Sequence, residues 1–165
     1  METIAVYWEE SIKTYGIRSE TGLDLVQVDV SPSSLSKLGR QLVELGRSDA
    51  AVRLILLHCH TSEILGLSMV FSAGWREHLS TFISGDAFAA VSRNFRVDSP
   101  VEMLNFHGPH FGDRYGIADA AHSALKKENI RYIAMGCSAA SVHVVFPENT
   151  AEKARKALAT VFKTP

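Results

Sequence analysis

Alternation and helical spacing divide the chain into short apolar segments. Leu23, Leu25, Gln27 and Asp29 alternate with Asp24, Val26, Val28 and Val30, a pattern that predicts a half-buried strand ended by Ser31-Pro32-Ser33-Ser34. Leu35, Leu38, Leu42 and Leu45 then recur at helical spacing. Ser33 or Ser34 is placed to cap the first turn and Gly46 to close the last, which predicts a short amphipathic helix. Val52 to Cys59 and Ile64 to Phe71 are nearly continuous apolar runs joined by the polar tip His60-Thr61-Ser62-Glu63, as two buried strands with a tight turn would be. Trp75 to Ile83 predicts a second helix and Asn94 to Val97 a short strand, after which Asp98-Ser99-Pro100 reads as a domain boundary.

The second half repeats this order. Val101 to His107 predicts a strand that breaks into a glycine-bearing loop and reopens as a helix over Gly116 to Glu128, with Ile117, Ala121, Ala124 and Leu125 on one face. Strands follow at Ile130 to Met135 and Val142 to Phe146. Asn149 and Glu152 form a candidate capping box for a last helix whose inner face is Ala151, Ala154, Leu158, Val161 and Phe162. The order β-α-β-β-α lacks the closing strand of a ferredoxin-like βαββαβ unit, while Ile12 to Arg18 is a strand to spare and Ile4 to Trp8 another strand or an extended lead-in. The expected class is therefore α+β: two ferredoxin-like βαββαβ units, the first inserted into the second. Residues 19–98 would form the first unit, and 1–18 plus 99–165 the second, completed by the N-terminal strand.

Composition narrows the function. The 165 residues are 46% hydrophobic and 21% charged, as in a soluble globular protein, and no apolar run is long enough to span a bilayer. Formal charge is −1 with Lys and Arg scattered among Asp and Glu, so there is no electrostatic footprint for nucleic acid. Cys59 and Cys137 lie in apolar strand-like segments and the N-terminus lacks a secretory pattern, which fits a reducing cytoplasm.

Several stretches resemble a known family, the regulatory ACT domains of aspartokinase. Asn129-Ile130-Arg131, Met135-Gly136-Cys137-Ser138-Ala139-Ala140-Ser141-Val142-His143 and Glu148-Asn149-Thr150-Ala151-Glu152-Lys153 resemble its "N-I-R", "Y-G-A-S-S-H-N" and "E-D-A-E", most closely in the lysine-sensitive branch. Thr61-Ser62-Glu63-Ile64 resembles "T-S-E-V", which in the family lies where the amino-acid effector is held, and Tyr15-Gly16-Ile17 resembles its opening strand. The family's first unit has a longer strand-to-helix loop than Ser31 to Ser34. The resemblance implies a tandem pair of ACT domains that regulates and does not catalyse. Nothing resembles the family's kinase motif, lysine-phenylalanine-glycine-glycine, and no phosphate loop of the G-x-x-x-x-G-K type occurs, so no enzyme activity and no cofactor are expected.

An amino-acid ligand needs donors for its carboxylate and an anion for its ammonium, and both are costly to bury unpaired. The candidate residues are Asp29, Ser31, Ser33, Ser34 and Leu35 around the first helix start, with Thr61, Ser62 and Glu63 at the strand tip. A possible second site comprises Asn105, His110, Gly116 and Ile117, flanking a loop that also carries Asp113 and Arg114 after His107. The bland alternative makes Ser33 and Ser34 a helix cap and leaves Glu63 and the charged loop solvated. His58 and His60 share a strand face and His107 and His110 form H-x-x-H, so that with Cys59 or Asp113 they are candidate zinc ligands. Cys59 points to the opposite face and no C-x-x-C or H-E-x-x-H frames a site, so no metal is expected. Cys137 beside Ser138 and His143 has no basic neighbour in sequence to lower its pKa, which favours a structural thiol and no catalytic residue. The reading is a homodimeric module that senses a small amino acid, lysine or threonine, at a unit or subunit interface and couples to a kinase domain or a separate enzyme partner. The alternatives are a ligand-free dimerisation module and a metal-binding protein using the histidines.

Overall fold

A computed structural model of the chain describes residues 11–47, 51–72, 74–75, 92–109, 111–138 and 140–164. The segment Ile4 to Trp8 and most of the expected helix from Trp75 to Ile83 lie outside the described residues. The fold is mixed α/β with three α-helices and antiparallel strand pairing among the described residues. Two compact units form, Thr21–Val101 and Met1–Glu20 with Glu102–Pro165. The strands β2 (Ile17–Val30) and β5 (Ser92–His107) each begin in one unit and end in the other.

In the unit Thr21–Val101, a short 3-10 turn, Pro32–Ser34, leads from β2 to α1 (Leu35–Arg47), followed by β3 (Val52–Cys59) and β4 (Leu65–Phe71). The strand order is β3-β4-β2-β5. β4 pairs antiparallel with β2, from Asp24 opposite Phe71 to Val30 opposite Leu65, and antiparallel with β3 on its other side. Alternation then decides the core. Val26, Val28 and Val30 lie on the same face as Leu65, Leu67, Met69 and Phe71, and that face packs on Leu38 and Leu45 of α1. Burying each of those two leucines stabilises the unit by about 1.5–3 kcal/mol.

The expected boundary at Asp98-Ser99-Pro100 lies next to the division between the units at Val101 and Glu102, but no turn forms there and the three residues lie inside β5. Such residues favour turns because their side chains bond nearby backbone, but here those side chains are engaged elsewhere. Ser99 Oγ donates to the buried carboxylate of Asp24, and Asp98 accepts from Arg96 at 2.7 and 3.0 Å. The strand therefore continues.

The other unit contains β1 (Ile12–Lys13), α2 (Ile117–Lys127), β6 (Ala134–Cys137), β7 (Ser141–Pro147), α3 (Ala151–Leu158) and β8 (Phe162–Lys163), with the order β5-β7-β6 and a separate parallel pair of β1 with β8. Leu104, Phe106, Val142, Val144 and Phe146 meet Ala121 and Leu125 of α2 and Ala154 and Leu158 of α3 in one core, which Ile12 and Phe162 also join. α2 ends where Asn129 turns into the left-handed region, φ 53°, a conformation asparagine tolerates better than most residues.

Four local expectations are revised in this unit, the first being that the strand expected from Ile130 to Met135 begins only at Ala134. The strand expected over Ile12 to Arg18 is interrupted: β1 is two residues long and the chain re-forms as β2 at Ile17. Thr14 and Tyr15 are instead bound to the ends of β5 and β8. Thr14 N donates to Lys163 O at 2.8 Å, Thr14 Oγ1 to His107 O at 2.7 Å and Tyr15 N to His107 O at 3.0 Å. Gly108 permits this approach, since a Cβ there would collide with Lys13 O. Phe162, expected on the last helix, lies beyond its end in β8 but is still buried. The capping box does not form: Asn149 adopts φ 62°, Glu152 pairs with Arg155 at 2.9 Å, and Glu102 from β5 takes its place. Its Oε2 accepts from Thr150 N at 2.8 Å and Ala151 N at 2.6 Å.

Candidate functional site

In the unit Thr21–Val101, Leu65 of β4 pairs with Val30 of β2 and with Cys59 of β3, so the start of α1 and the β3–β4 turn lie at the same end of the sheet. The turn is closed by its own residues. His60 N and Thr61 N both donate to Ile64 O, at 3.0 and 3.1 Å, while Thr61 Oγ1 accepts from Glu63 N and Ile64 N at 3.2 and 3.1 Å. Thr61 is thus spent on the turn, and Ser62 and Glu63 are exposed at its tip.

The helix start is similarly self-contained. Ser34 N donates to Ser31 O at 2.9 Å and Leu35 N to Pro32 O, so two backbone donors expected to face a carboxylate are used within the 3-10 turn. Ser31 Oγ lies 2.9 Å from Ser33 Oγ and 2.8 Å from Ser34 Oγ, and no side chain caps the turn.

Asp29 is the better-placed anion. Asp29, Gly66 and His58 stand in one row across β2, β4 and β3. Asn94 Nδ2 donates to Asp29 Oδ2 at 2.9 Å, and Asp29 Oδ1 lies 3.5 Å from His60 Nε2. His58 and His60 approach Nε2 to Nε2 at 3.1 Å, their rings edge to face with centroids 4.5 Å apart. Both rings occupy space that Gly66 leaves open, where a Cβ would collide with them. The shared face of the two histidines is legible from their i, i+2 spacing. The approach of His60 to Asp29 and the contact with Asn94 are not, because they depend on cross-strand register; the one local signal is the glycine at position 66.

The possible second site is not assembled in the same way. Ile117 is a core residue of α2, Gly116 precedes that helix at φ 82°, Asn105 is half-buried in β5, and His110 lies outside the described residues. The His107 ring lies tilted against Tyr15, with centroids 5.3 Å apart, while its carbonyl holds Thr14 and Tyr15. An open cleft of about 520 Å3 occurs elsewhere in this unit, lined by His122, Lys126, Asn129, Ile130, Arg131 and Tyr132, with His122 Nδ1 3.0 Å from the Tyr132 hydroxyl. It includes the Asn129-Ile130-Arg131 stretch that carried part of the family resemblance.

Neither cysteine is buried, and both are free thiols. Cys137 Sγ contacts Ser138 O at 3.6 Å, whereas His143 Nε2 pairs with Ser141 Oγ at 3.2 Å. His143 Nδ1 is buried without a hydrogen-bond partner among the described residues. Burial holds the His143 pKa below the ordinary histidine value, outweighing the opposite pull of Glu20. Below the unfolded value of about 6.5 the unfolded chain takes a proton that the folded chain resists. The stability this group contributes is therefore full above that pH and is lost as pH falls towards the folded pKa. Urea unfolding of His143→Gln should accordingly show a shallower loss of stability on acidification than the parent chain; equal slopes would contradict this.

Among the described residues no group of three or more His, Cys, Asp or Glu forms a metal-ion set, and no helix is long and apolar enough to cross a membrane.

No protein-family profile matches the chain, and no curated protein matches it. Solved structures do. The regulatory subunit of aspartate kinase from Thermus flavus superposes with a TM-score of 0.76 at 11% identity, over 90% of this chain and 97% of that one. The ligand-free regulatory subunit from Thermus thermophilus gives 0.74 at 13% identity, over 91% and 99%. Aspartokinase III of E. coli in complex with lysine and aspartate gives 0.64 at 19% identity, covering 93% of this chain but 34% of that protein. The chain therefore has the fold of aspartate kinase regulatory domains, as the sequence resemblance implied.

Proposed function

We propose that this chain is a non-catalytic regulatory module that binds a small amino acid, lysine or threonine, and transmits occupancy to a kinase domain or a separate enzyme. Its architecture in this reading is a pair of ACT units, residues 19–98 inserted into 1–18 plus 99–165. The observation that carries the proposal is the extent of the structural match: nearly the whole of two aspartate kinase regulatory subunits is covered by nearly the whole of this chain. The lysine and aspartate found with the E. coli neighbour supply the ligand class.

Asp29, fixed by Asn94, and Glu63 at the turn tip are the anions assigned to the ligand ammonium, with Ser31, Ser33, Ser34, Leu35, Thr61 and Ser62 forming the rest of the candidate site. Asn105, His110, Gly116 and Ile117 remain the proposed second site. A homodimer fits the same reading. Among the described residues β3 ends the strand order of its unit, and Ile55 and Leu57 on it are about half exposed, at 48% and 50%, as a strand that pairs with a second copy would be. A ligand then regulates by binding one arrangement of the copies better than another, and only by that difference.

The self-satisfied serine turn favours a second reading, a dimerisation module with no ligand. A thermal-shift panel of amino acids separates the two. A true ligand at 100 times its dissociation constant adds about 2.7 kcal/mol of stability. A flat response to every amino acid, lysine and threonine included, would leave only the dimerisation module.

A further inference from the structure

We propose that His58 and His60 form an open two-histidine chelate for one divalent transition-metal ion, zinc being the test case. Their i, i+2 spacing at the end of β3 sets both rings on one face, and their Nε2 atoms converge to 3.1 Å. Two imidazole nitrogens bound to one tetrahedral zinc at about 2.0–2.1 Å would stand about 3.3 Å apart by simple geometry. The pair is therefore close to chelating spacing before any ion arrives.

Three further features fit an ion at this point. Gly66 keeps the space beneath the rings open, and any larger residue would displace both. Asp29 places a carboxylate oxygen 3.5 Å from His60 Nε2, and Asn94 fixes the other oxygen at 2.9 Å, the kind of orienting contact that metal-site carboxylates receive. The His60 side chain is 50% exposed, so an ion reaches it from solvent. Cys59 is excluded, since it shares the opposite face with its β4 partner Leu65. With no three-residue set among the described residues, the ion would keep water in its remaining positions and Asp29 would act beside it as a compensating charge. The chelate goes beyond the amino-acid reading and does not depend on it.

The test is zinc binding by the full chain, stripped of metal and titrated with Zn2+ alone, without any amino acid. The proposal expects one equivalent bound, with the ring 15N resonances of His58 and His60 perturbed. It also expects affinity to fall at least tenfold in His58→Gln and in His60→Gln, to fall by less in Asp29→Asn, and to weaken on acidification as protons compete for the ring nitrogens. Circular dichroism of each variant checks that it is folded. Absence of zinc binding by the parent chain, or a folded His58→Gln/His60→Gln double variant that binds as tightly as the parent, would overturn it. Amino-acid binding measured separately in the presence of a chelator shows whether the sensing reading stands or falls on its own.

Discussion

Phe106→Ala should lower the unfolding free energy by about 3–5 kcal/mol, the range for deleting a buried phenylalanine. Phe106 is fully buried, with its ring centroid 4.6 Å from that of Phe162 and 6.2 Å from that of Phe111. Phe162 belongs to β8, whose parallel partner is β1, so the aromatic cluster lies against the pairing that joins the chain's early residues to its last ones. Truncation would remove contacts from both rings and leave a cavity that rigid strand pairing cannot readily close. Urea unfolding of the parent and variant measures the difference. A loss below about 1 kcal/mol, too small for a cavity of this kind, would mean that the cluster is not packed as described.

Glu102→Ala should cost about 2–3 kcal/mol, because it leaves two backbone donors at the start of α3 without their charged acceptor. The carboxylate is nearly buried, Ala151 is buried with it, and both bonds are short, at 2.8 and 2.6 Å. Negative charge at this helix end is also favoured by the dipole of the helix. Glu102→Gln preserves an acceptor oxygen while removing the charge, so it should be less damaging than alanine. Equal stability of Glu102→Ala and the parent in urea would show that α3 is capped in some other way.

The helices were legible in sequence because a helix is a local object. Leu38 and Leu45 in α1, Ile117, Ala121, Ala124 and Leu125 in α2, and Ala151, Ala154 and Leu158 in α3 all lie on the faces that their spacing predicts. The apolar runs of β3 and β4 were legible as strands for the same reason, but only β4 is buried as expected, and β3 is largely exposed. What escaped depends on partners distant in sequence. A capping box at Asn149 and Glu152 is a sound local expectation, but Glu102 reaches the same N–H groups from β5 and frees Glu152 to pair with Arg155. Asp98-Ser99-Pro100 marks the division between the units to within a residue, but its turn chemistry does not break the strand, because Asp24 and Arg96 engage its side chains.

The candidate site shows the same division. Sequence identified the turn residues Thr61 to Glu63 and the shared face of His58 and His60, both consequences of short spacing. It did not show that Thr61 closes its own turn or that Ser34 and Leu35 spend their N–H groups on the 3-10 turn. Nor did it show Asp29 held between Asn94 and His60, since register across four strands brings those groups together.

The most direct measurement of the sensing account is an 15N NMR titration of the full chain with lysine and with threonine. The account predicts that one of them produces saturable shifts concentrated at Asp29 to Leu35 and Thr61 to Ile64, and that Asp29→Asn and Glu63→Gln weaken the response. Spectra unchanged by either amino acid, or shifts that leave both segments untouched, would contradict it.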